Sequence, residues 1–327
     1  MKLLVLTNNP SRASFRQRIG VYLDTLRNNG IRCEVVKYPS GSPARWKLLR
    51  HCRDFDAVFL HKKRLNALDT LWLYHKGCRV IYDFDDAVMY NDKHPDRPSR
   101  KRWKSFQRTV RPAHLVIAGN SYLADHVRKF NQNARILPTG LDVKSYCCST
   151  SKPNDGRTRL VWIGSKSTLS YLASIKPALE AIGSRFNDVV LRIICDEFFD
   201  LQNMEVEKCR WSLESQAKDL AASDIGLAPL PDNRFTRGKC GFKILQYQAA
   251  SLPVITSPVG VNAKYVQQDI SGYVATDKSD WAEKLSRLIR DEGLRKRMGR
   301  QGYKHVCSFD TKVLGARLVN IIKSVMT

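Results

Sequence analysis

Along most of the chain, short runs of apolar and β-branched residues alternate with longer stretches in which apolar positions recur every three or four residues. The first pattern is that of buried strands and the second that of amphipathic helices. Their alternation predicts an α/β protein built on parallel sheets. In the first half, strands are expected at 2–7, 32–38, 57–61, 79–83, 115–119 and 134–138, with helices near 15–28, 65–75, 97–110 and 121–130. The polar stretch 148–157 then supplies Ser, Lys, Pro, Asn, Asp and Gly, which is linker chemistry. A second series follows, with strands at 160–163, 189–195, 225–230, 253–257 and 273–275, helices near 168–182, 214–222, 242–250 and 281–291, and a basic helical tail over 293–326. The expected organisation is therefore two doubly wound, Rossmann-like domains, 1–150 and 151–327, facing each other across a cleft where such sheets bind ligands. No internal repeat or low-complexity tract interrupts it.

A length of 327 residues suits two such domains, and 43% hydrophobic with 26% charged residues excludes a disordered or collagen-like chain. Charge changes the picture more. Lys and Arg number 55 against 31 Asp and Glu, a formal +24, and residues 1–150 hold 28 basic and 12 acidic side chains, or +16 of that total. An anionic substrate or partner is expected, felt most strongly by the first half. The nine cysteines are odd in number, scattered and never spaced Cys-x-x-Cys, which points to reduced thiols in a cytoplasmic protein and away from a disulfide scaffold or zinc site. The start loses its apolar character after Leu6, too soon for a signal-peptide core, and no stretch reaches 18 apolar residues, so membrane contact is expected to be peripheral.

The segment richest in chemistry is Arg237-Gly238-Lys239-Cys240-Gly241-Phe242-Lys243-Ile244-Leu245-Gln246-Tyr247. A glycine-bearing loop that opens a helix presents backbone N–H groups and the positive end of a dipole, and two lysines beside it add charge. That combination cradles a diphosphate. By local physics alone the two lysines also suit a solvated helix start, with Gly241 making a turn.

This segment resembles the donor-binding domain of GT-B glycosyltransferases of the glycosyltransferase family 4 type. The resemblance runs from Lys243 to Val254, then through Ser257-Pro258-Val259-Gly260 and Ser271-Gly272-Tyr273-Val274, with Ile225 to Leu230 and Leu160 to Ser165 upstream. It continues more weakly in Gly119 to Leu123 and Leu137 to Asp142. It implies a GT-B fold and transfer of a sugar from a nucleotide-diphosphate sugar, UDP- or GDP-linked, with no further cofactor. Lys239, Lys243, Gly241 and Phe242 would hold the diphosphate, Gly164 and Ser165 would approach it from a facing turn, and Gln246 would hold the ribose. The sequence also departs from the pattern. Many family members carry two glutamates separated by seven residues, where this chain has Gly238 and Gln246; Asp232 lies a few residues upstream. The resemblance implies retention of anomeric configuration, a point the missing glutamates bear on.

A second cluster, Asp83-Phe84-Asp85-Asp86, ends an apolar strand. Like charges this close raise at least one pKa unless a cation intervenes, which poises them for proton transfer or metal binding. Three functional readings stand beside that of a structural cap. The GT-B resemblance implies that Asp85 stands where relatives place a histidine near the acceptor hydroxyl, with Asp83 or Asp86 holding sugar hydroxyls. Asp83-Phe84-Asp85 also resembles the Asp-x-Asp metal motif of GT-A glycosyltransferases, and the run resembles the nucleophile motif of haloacid-dehalogenase-type phosphohydrolases, with Asp83 attacking.

Arg12, Arg16 and Arg18 follow the first strand, and the resemblance implies that Arg16 contacts a donor phosphate or an anionic acceptor. Residues 97–111 interleave Trp103, Phe106 and Val110 with seven cations, which suits either a core-facing helix or an anchor on an anionic membrane. His61, at a strand end, would line the cleft, and no histidine spacing suggests a metal site. The expected function is thus a cytoplasmic glycosyltransferase, peripheral on the membrane's inner face if attached at all. It would act on a glycan, lipid-linked or otherwise anionic acceptor of cell-surface polysaccharide or glycolipid synthesis, without metal. The alternatives are a phosphohydrolase using Asp83 and a non-catalytic nucleotide-sugar binder. No nucleic-acid-binding module is recognisable.

Overall fold

The computed structural model describes residues 1–75, 77–147 and 152–325. Its first sheet is β1 (Lys2–Thr7), β2 (Arg32–Lys37), β3 (Ala57–His61), β4 (Val80–Phe84), β5 (Leu115–Ala118) and β6 (Ala134–Ile136), in the spatial order β2-β1-β3-β4-β5-β6. The second is β7 (Thr158–Ile163), β8 (Val189–Cys195), β9 (Glu205–Arg210), β10 (Ile225–Ala228), β11 (Val254–Thr256) and β12 (Gly272–Val274), in the order β12-β11-β10-β7-β8-β9. Every pairing is parallel. Both orders are doubly wound, and each reverses at a switch point, between β1 and β3 in the first sheet and between β7 and β10 in the second. Ligands bind outside the carboxyl ends of strands at such points.

The central strands are buried from end to end. β3 and β4 have no exposed residue, nor do β7 and β8, as expected for parallel sheets covered on both faces. Around the first sheet the core includes Leu4, Leu6, Val58, Leu60, Tyr82, Phe84 and Phe106, and around the second Leu160, Trp162, Leu191, Ile193, Ile225 and Leu227.

The chain divides into two compact units, one made of Met1–Leu141, Asn233–Cys240 and Thr311–Thr327, the other of Asp142–Asp232 and Gly241–Asp310. The expected boundary at 150/151 falls on residues 148–151, outside the described residues, as does Met326 at the end of the expected tail. A single break along the sequence does not describe the units, because two later segments pack with the first. The helix Thr311–Lys323 sets Gly315 against Tyr22 and Thr25, where an added Cβ would stand 3.3 and 3.1 Å from their side chains.

Several expected elements differ in ways with physical causes. The helix expected over 15–28 breaks into Ala13–Arg18, a 3₁₀ turn at Gly20–Tyr22, and Leu23–Asn28, because Ile19 leaves helical geometry at φ −137° and the chain turns Arg18 inward. The helix expected over 168–182 is two pieces, Leu169–Ala173 and Lys176–Gly183. A helix at Ser42–His51 was not expected; it buries only Leu49 and follows a Pro, Ser and Gly stretch that reads as loop. Strand β9 was also missed, since Glu-Val-Glu-Lys-Cys-Arg has no apolar run. It is an edge strand held by pairing with β8, and its Glu207 receives Arg192 at 2.7 Å and Arg159 at 3.1 Å.

Candidate functional site

In the second unit the chain enters the helix Phe242–Ala249 through Gly241 at φ +65°, the left-handed region. Glycine is required there twice over. The conformation disfavours any side chain, and a Cβ would stand 2.8 Å from the Tyr265 ring and 3.1 Å from Val261. Gly241 also brings no side chain to cap the helix, whose first amides are those of Phe242 and Lys243. Tyr247, one turn on, ties this helix to the switch point: its hydroxyl accepts from the Ile163 amide on β7 and donates to the Leu227 carbonyl on β10, each at 3.0 Å. Gly226 lets the Tyr247 ring lie against β10.

Lys243 lies with its ammonium 5.1 Å from the centre of the Trp162 ring, and that ring fills the space a side chain at Gly164 would need. Ser165 follows and starts the turn Lys166–Thr168 in a capping box with Thr168, while Lys166 pairs with Glu197. The structure thus brings Gly164, Ser165, Gly241, Phe242 and Lys243 to the carboxyl end of one sheet, around its switch point. Gln246 is buried one turn deeper, 4% exposed, and its amide nitrogen donates to the Tyr146 hydroxyl at 3.0 Å and to Gln216 Oε1 at 3.2 Å. Gln216 Oε1 also accepts from the Trp211 indole. A cavity of about 400 Å³ lined by Tyr146, Cys147, Ala249, Ser251 and Tyr303 lies at the opposite end of the helix from Lys243.

Lys239 falls in the other unit. The segment Asn233–Cys240 belongs to the first unit, where Asn120 donates to the Gly238 and Lys239 carbonyls at 3.0 and 3.1 Å and the Tyr122 hydroxyl donates to the Arg234 carbonyl at 2.9 Å. Gly238 is buried against Ala87 and Leu123, with a Cβ 2.7 Å from the Ala87 methyl, so the position where the family pattern has glutamate has no room for one. Within the first unit Lys239 pairs with Asp86, Nζ to Oδ1 3.3 Å, and Cys240 donates its thiol to the Asp85 carbonyl at 3.2 Å. Burial pushes that thiol up to about 12.

Here, at the carboxyl ends of β1, β3 and β4, the three aspartates of the first unit have separate partners. Asp83 is 1% exposed and takes Arg18 on both oxygens, and Arg18 also donates to the Leu137 carbonyl at 2.7 Å. Burial works to lower the Arg18 pKa, but Asp83 outweighs it and the guanidinium stays charged. A carboxylate covered in this way is not presented to a phosphate, which removes the geometry that a nucleophilic Asp83 needs.

Asp85 and Asp86 share Lys62, whose Nζ lies 2.7 Å from Asp85 Oδ1 and 2.6 Å from Asp86 Oδ2. Burial would raise the Asp85 carboxyl; Lys62 and Arg18 overcome it and hold it at about 2. The same two aspartates raise Lys62 against the lowering effect of burial. Lys62 sits at φ +54°, strained for a residue with a side chain, and its amide donates to the Asp83 carbonyl at 2.7 Å. Sequence reasoning passed over Lys62 and Arg18, because each meets its aspartate only through the pairing of β1, β3 and β4. The signal available was a lysine directly after a buried strand, next in the series to the one ending in three aspartates.

His61 is 2% exposed, with Nδ1 3.0 Å from Thr7 Oγ1 and Nε2 lacking a hydrogen-bond partner among the described residues; burial lowers its pKa. Arg16 bonds the Ser11 carbonyl at 2.8 Å and stands apart from Arg18 in role. The helix Arg100–Val110 turns Phe106 and Val110 fully into the core with Trp103 packed against it, so its aromatic residues are not membrane anchors. Among the described residues no three His, Cys, Asp or Glu side chains are grouped as metal ligands, and no helix is long and apolar enough to cross a membrane.

Comparison with known proteins bears on this arrangement. Residues 220–305 match the profile of the family described as Glycosyl transferases group 1, a span that holds β10, the 233–240 segment and the helix Phe242–Ala249. The chain is 22% identical to the phosphatidyl-myo-inositol mannosyltransferase of Mycobacterium leprae over 292 residues, covering 84% of this chain and 75% of that protein. Over 90 residues it is 32% identical to the D-inositol 3-phosphate glycosyltransferase of Salinispora arenicola, covering 27% of this chain and 19% of that one. Among solved structures, Anabaena HepE in complex with UDP and glucose superposes with a TM-score of 0.74 at 15% identity, covering 99% of this chain and 100% of that one. The sucrose-phosphate synthase of Thermosynechococcus elongatus gives 0.75 at 12% identity, covering 99% and 98%. The fold is that of the GT-B glycosyltransferases.

Proposed function

We propose that this chain, a GT-B glycosyltransferase with a group 1 donor segment, moves a sugar from a UDP- or GDP-sugar to a glycan or lipid-linked, anionic acceptor. The observation that carries this reading is the glycine-started helix at the β7/β10 switch point, with Lys243 in its first turn and Gly164 and Ser165 beside it, inside the matched span or at the strand end facing it. The Phe242 and Lys243 amides, the helix dipole and the Lys243 ammonium take up the charge that builds on the departing diphosphate, where preorganised donors lower a barrier most. Those groups do this with no metal. Gln246 offers its amide to the ribose, as a neutral replacement for a carboxylate. UDP in the HepE complexes and the mannosyltransferase relative support a nucleotide-sugar donor and a glycolipid or glycan acceptor.

On the acceptor side, Asp85 is the group for the attacking hydroxyl. Lys62 keeps it ionised and fixed, so that it accepts a hydrogen bond from that hydroxyl and orients it, while Asp86 and Lys239 hold sugar hydroxyls and Arg16 an acceptor phosphate. Asp83 serves by holding Arg18. The reaction retains anomeric configuration in this reading, and peripheral contact with an anionic membrane brings the chain to a lipid-linked acceptor.

The test is calorimetric titration of UDP, GDP, ADP and CMP with EDTA present, repeated on Lys243→Ala. One nucleoside diphosphate is expected to bind, at least tenfold more weakly to the variant. Binding of none, in the presence or absence of Mg²⁺, would overturn the proposal.

A further inference from the structure

The helix Ser42–His51 and its neighbour Ala67–His75 carry three of the large apolar side chains most open to water: Leu68 at 69%, Leu71 at 58% and Trp46 at 44% exposed. They belong to one patch. Trp46 meets Trp72 edge to face with ring centres 6.0 Å apart, and Leu68 and Leu71 lie four and one positions before Trp72 on its helix. The charge beside them has one sign. Ser42–His51 contains Arg45, Lys47 and Arg50 and no acidic residue, the exposed Arg53 follows, and Arg50 lies 4.8 Å over the Trp46 ring. The acids nearby are accounted for: Asp69 is buried and faces Arg45 at 3.7 Å, and Asp54 pairs with His51 at 2.7 Å.

We infer that this face docks the protein on an anionic lipid surface, with Trp46, Leu68 and Leu71 entering the headgroup and acyl boundary and Lys47, Arg50 and Arg53 on the lipid phosphates. The inference rests on the peripheral membrane contact of the proposed function and gives it a location. A lipid surface offers both things the patch lacks, negative charge and an apolar layer, and it needs no matching shape. A second copy of the chain does not fit, because a two-fold contact through this face would set the same cations against one another. The +16 of residues 1–150 adds long-range attraction of the same sign. An indole with a cation over it is suited to the wet side of such a boundary.

The experiment is flotation of the full chain with vesicles of phosphatidylcholine alone or with a third phosphatidylglycerol. The wild type is expected to float with the second and not the first. The double variant Leu68→Ser, Leu71→Ser is expected to partition at least tenfold less, and Lys47→Glu, Arg50→Glu to lose roughly fivefold per cation removed. The control Arg300→Glu, Lys304→Glu, the same charge change on exposed positions of the second unit, is expected to float as the wild type does. Failure to float with anionic vesicles, or equal partition of all variants, would overturn the inference. So would a wild-type dimer that the leucine variant converts to monomer, since the face would then pair copies. Titration of the same variants with UDP, GDP and ADP separates the two proposals: intact nucleotide binding with lost flotation supports the docking face, and flotation without binding of any of these nucleotides strikes the transferase reading alone.

Discussion

At the strand ends of the first unit, charged side chains from four separate segments meet and are paired: Arg18 with Asp83, Lys62 with Asp85 and Asp86, Lys239 with Asp86. At the strand ends of the second stand a glycine in left-handed geometry, a helix start, one lysine over a tryptophan and a buried glutamine. The first arrangement is a network of ions, buried at Arg18 and Asp83, where breaking the pair is costly because the partner left behind is desolvated, and more open towards Asp86 and Lys239. The second is a backbone shape with a few donors, ready for an anion and only lightly charged without one. In the proposed function the two surfaces take different parts. A diphosphate brings its own charge and asks for donors, whereas an acceptor hydroxyl asks for a carboxylate held ionised.

That contrast is most directly broken at Arg18. Arg18→Met leaves Asp83 buried without its partner and is expected to cost about 3–5 kcal/mol of stability in urea unfolding. Arg18→Met with Asp83→Leu is expected to recover most of it, and no recovery would mean that Arg18 acts through its packing. In the second unit the equivalent stress is steric. Gly241→Val forces a β-branched residue to φ +65° against Tyr265, expected to cost about 3 kcal/mol and to abolish nucleotide binding, both read by thermal shift with and without UDP.

Protonation tests the ionic unit more gently. The folded Asp85 pKa of about 2 lies below the ordinary value of 3.8, so its contribution is present above about pH 4 and lost as pH falls towards 2. The size is roughly 2 kcal/mol, and Asp85→Asn is expected to flatten that part of the acid unfolding curve. Lys243→Ala sharpens the other side: the ammonium is partly exposed, so the fold is expected to hold while the Kd for UDP rises about tenfold, or ~1.4 kcal/mol. The smallest effect is expected at Gln246. Gln246→Glu sets a carboxylate beside Gln216 Oε1, which can turn its amide only by giving up the Trp211 indole, at a cost of about 1 kcal/mol in thermal unfolding. A more stable Gln246→Glu variant would show that this network is not as drawn.

How much of this was legible beforehand follows from the range of the interactions. Strands such as β1, β3 and β8 were read to their end residues, because a buried parallel strand is a contiguous apolar run. The glycine-started helix was readable for the same reason, since Gly241, Phe242, Lys243 and Gln246 are close in sequence and one helix start sets their geometry. Strand β9 and the helix Ser42–His51 were not readable, having little apolar signal of their own; pairing with β8 and contact with the helix Ala67–His75 create them.

The amino-acid sequence by itself determined the α/β class, the two parallel sheets, the glycine-started helix at 241–242 and the carboxylate cluster, all written in local pattern. Tertiary structure alone decided that Lys239 pairs with Asp86, that Arg18 covers Asp83, that Lys62 holds Asp85 ionised, and that Trp103 faces the core while Trp46 faces water. The physical reason is that electrostatic and packing energies depend on distances between residues far apart in sequence, 155 positions for Asp85 and Cys240, and those distances exist only once the sheets have formed.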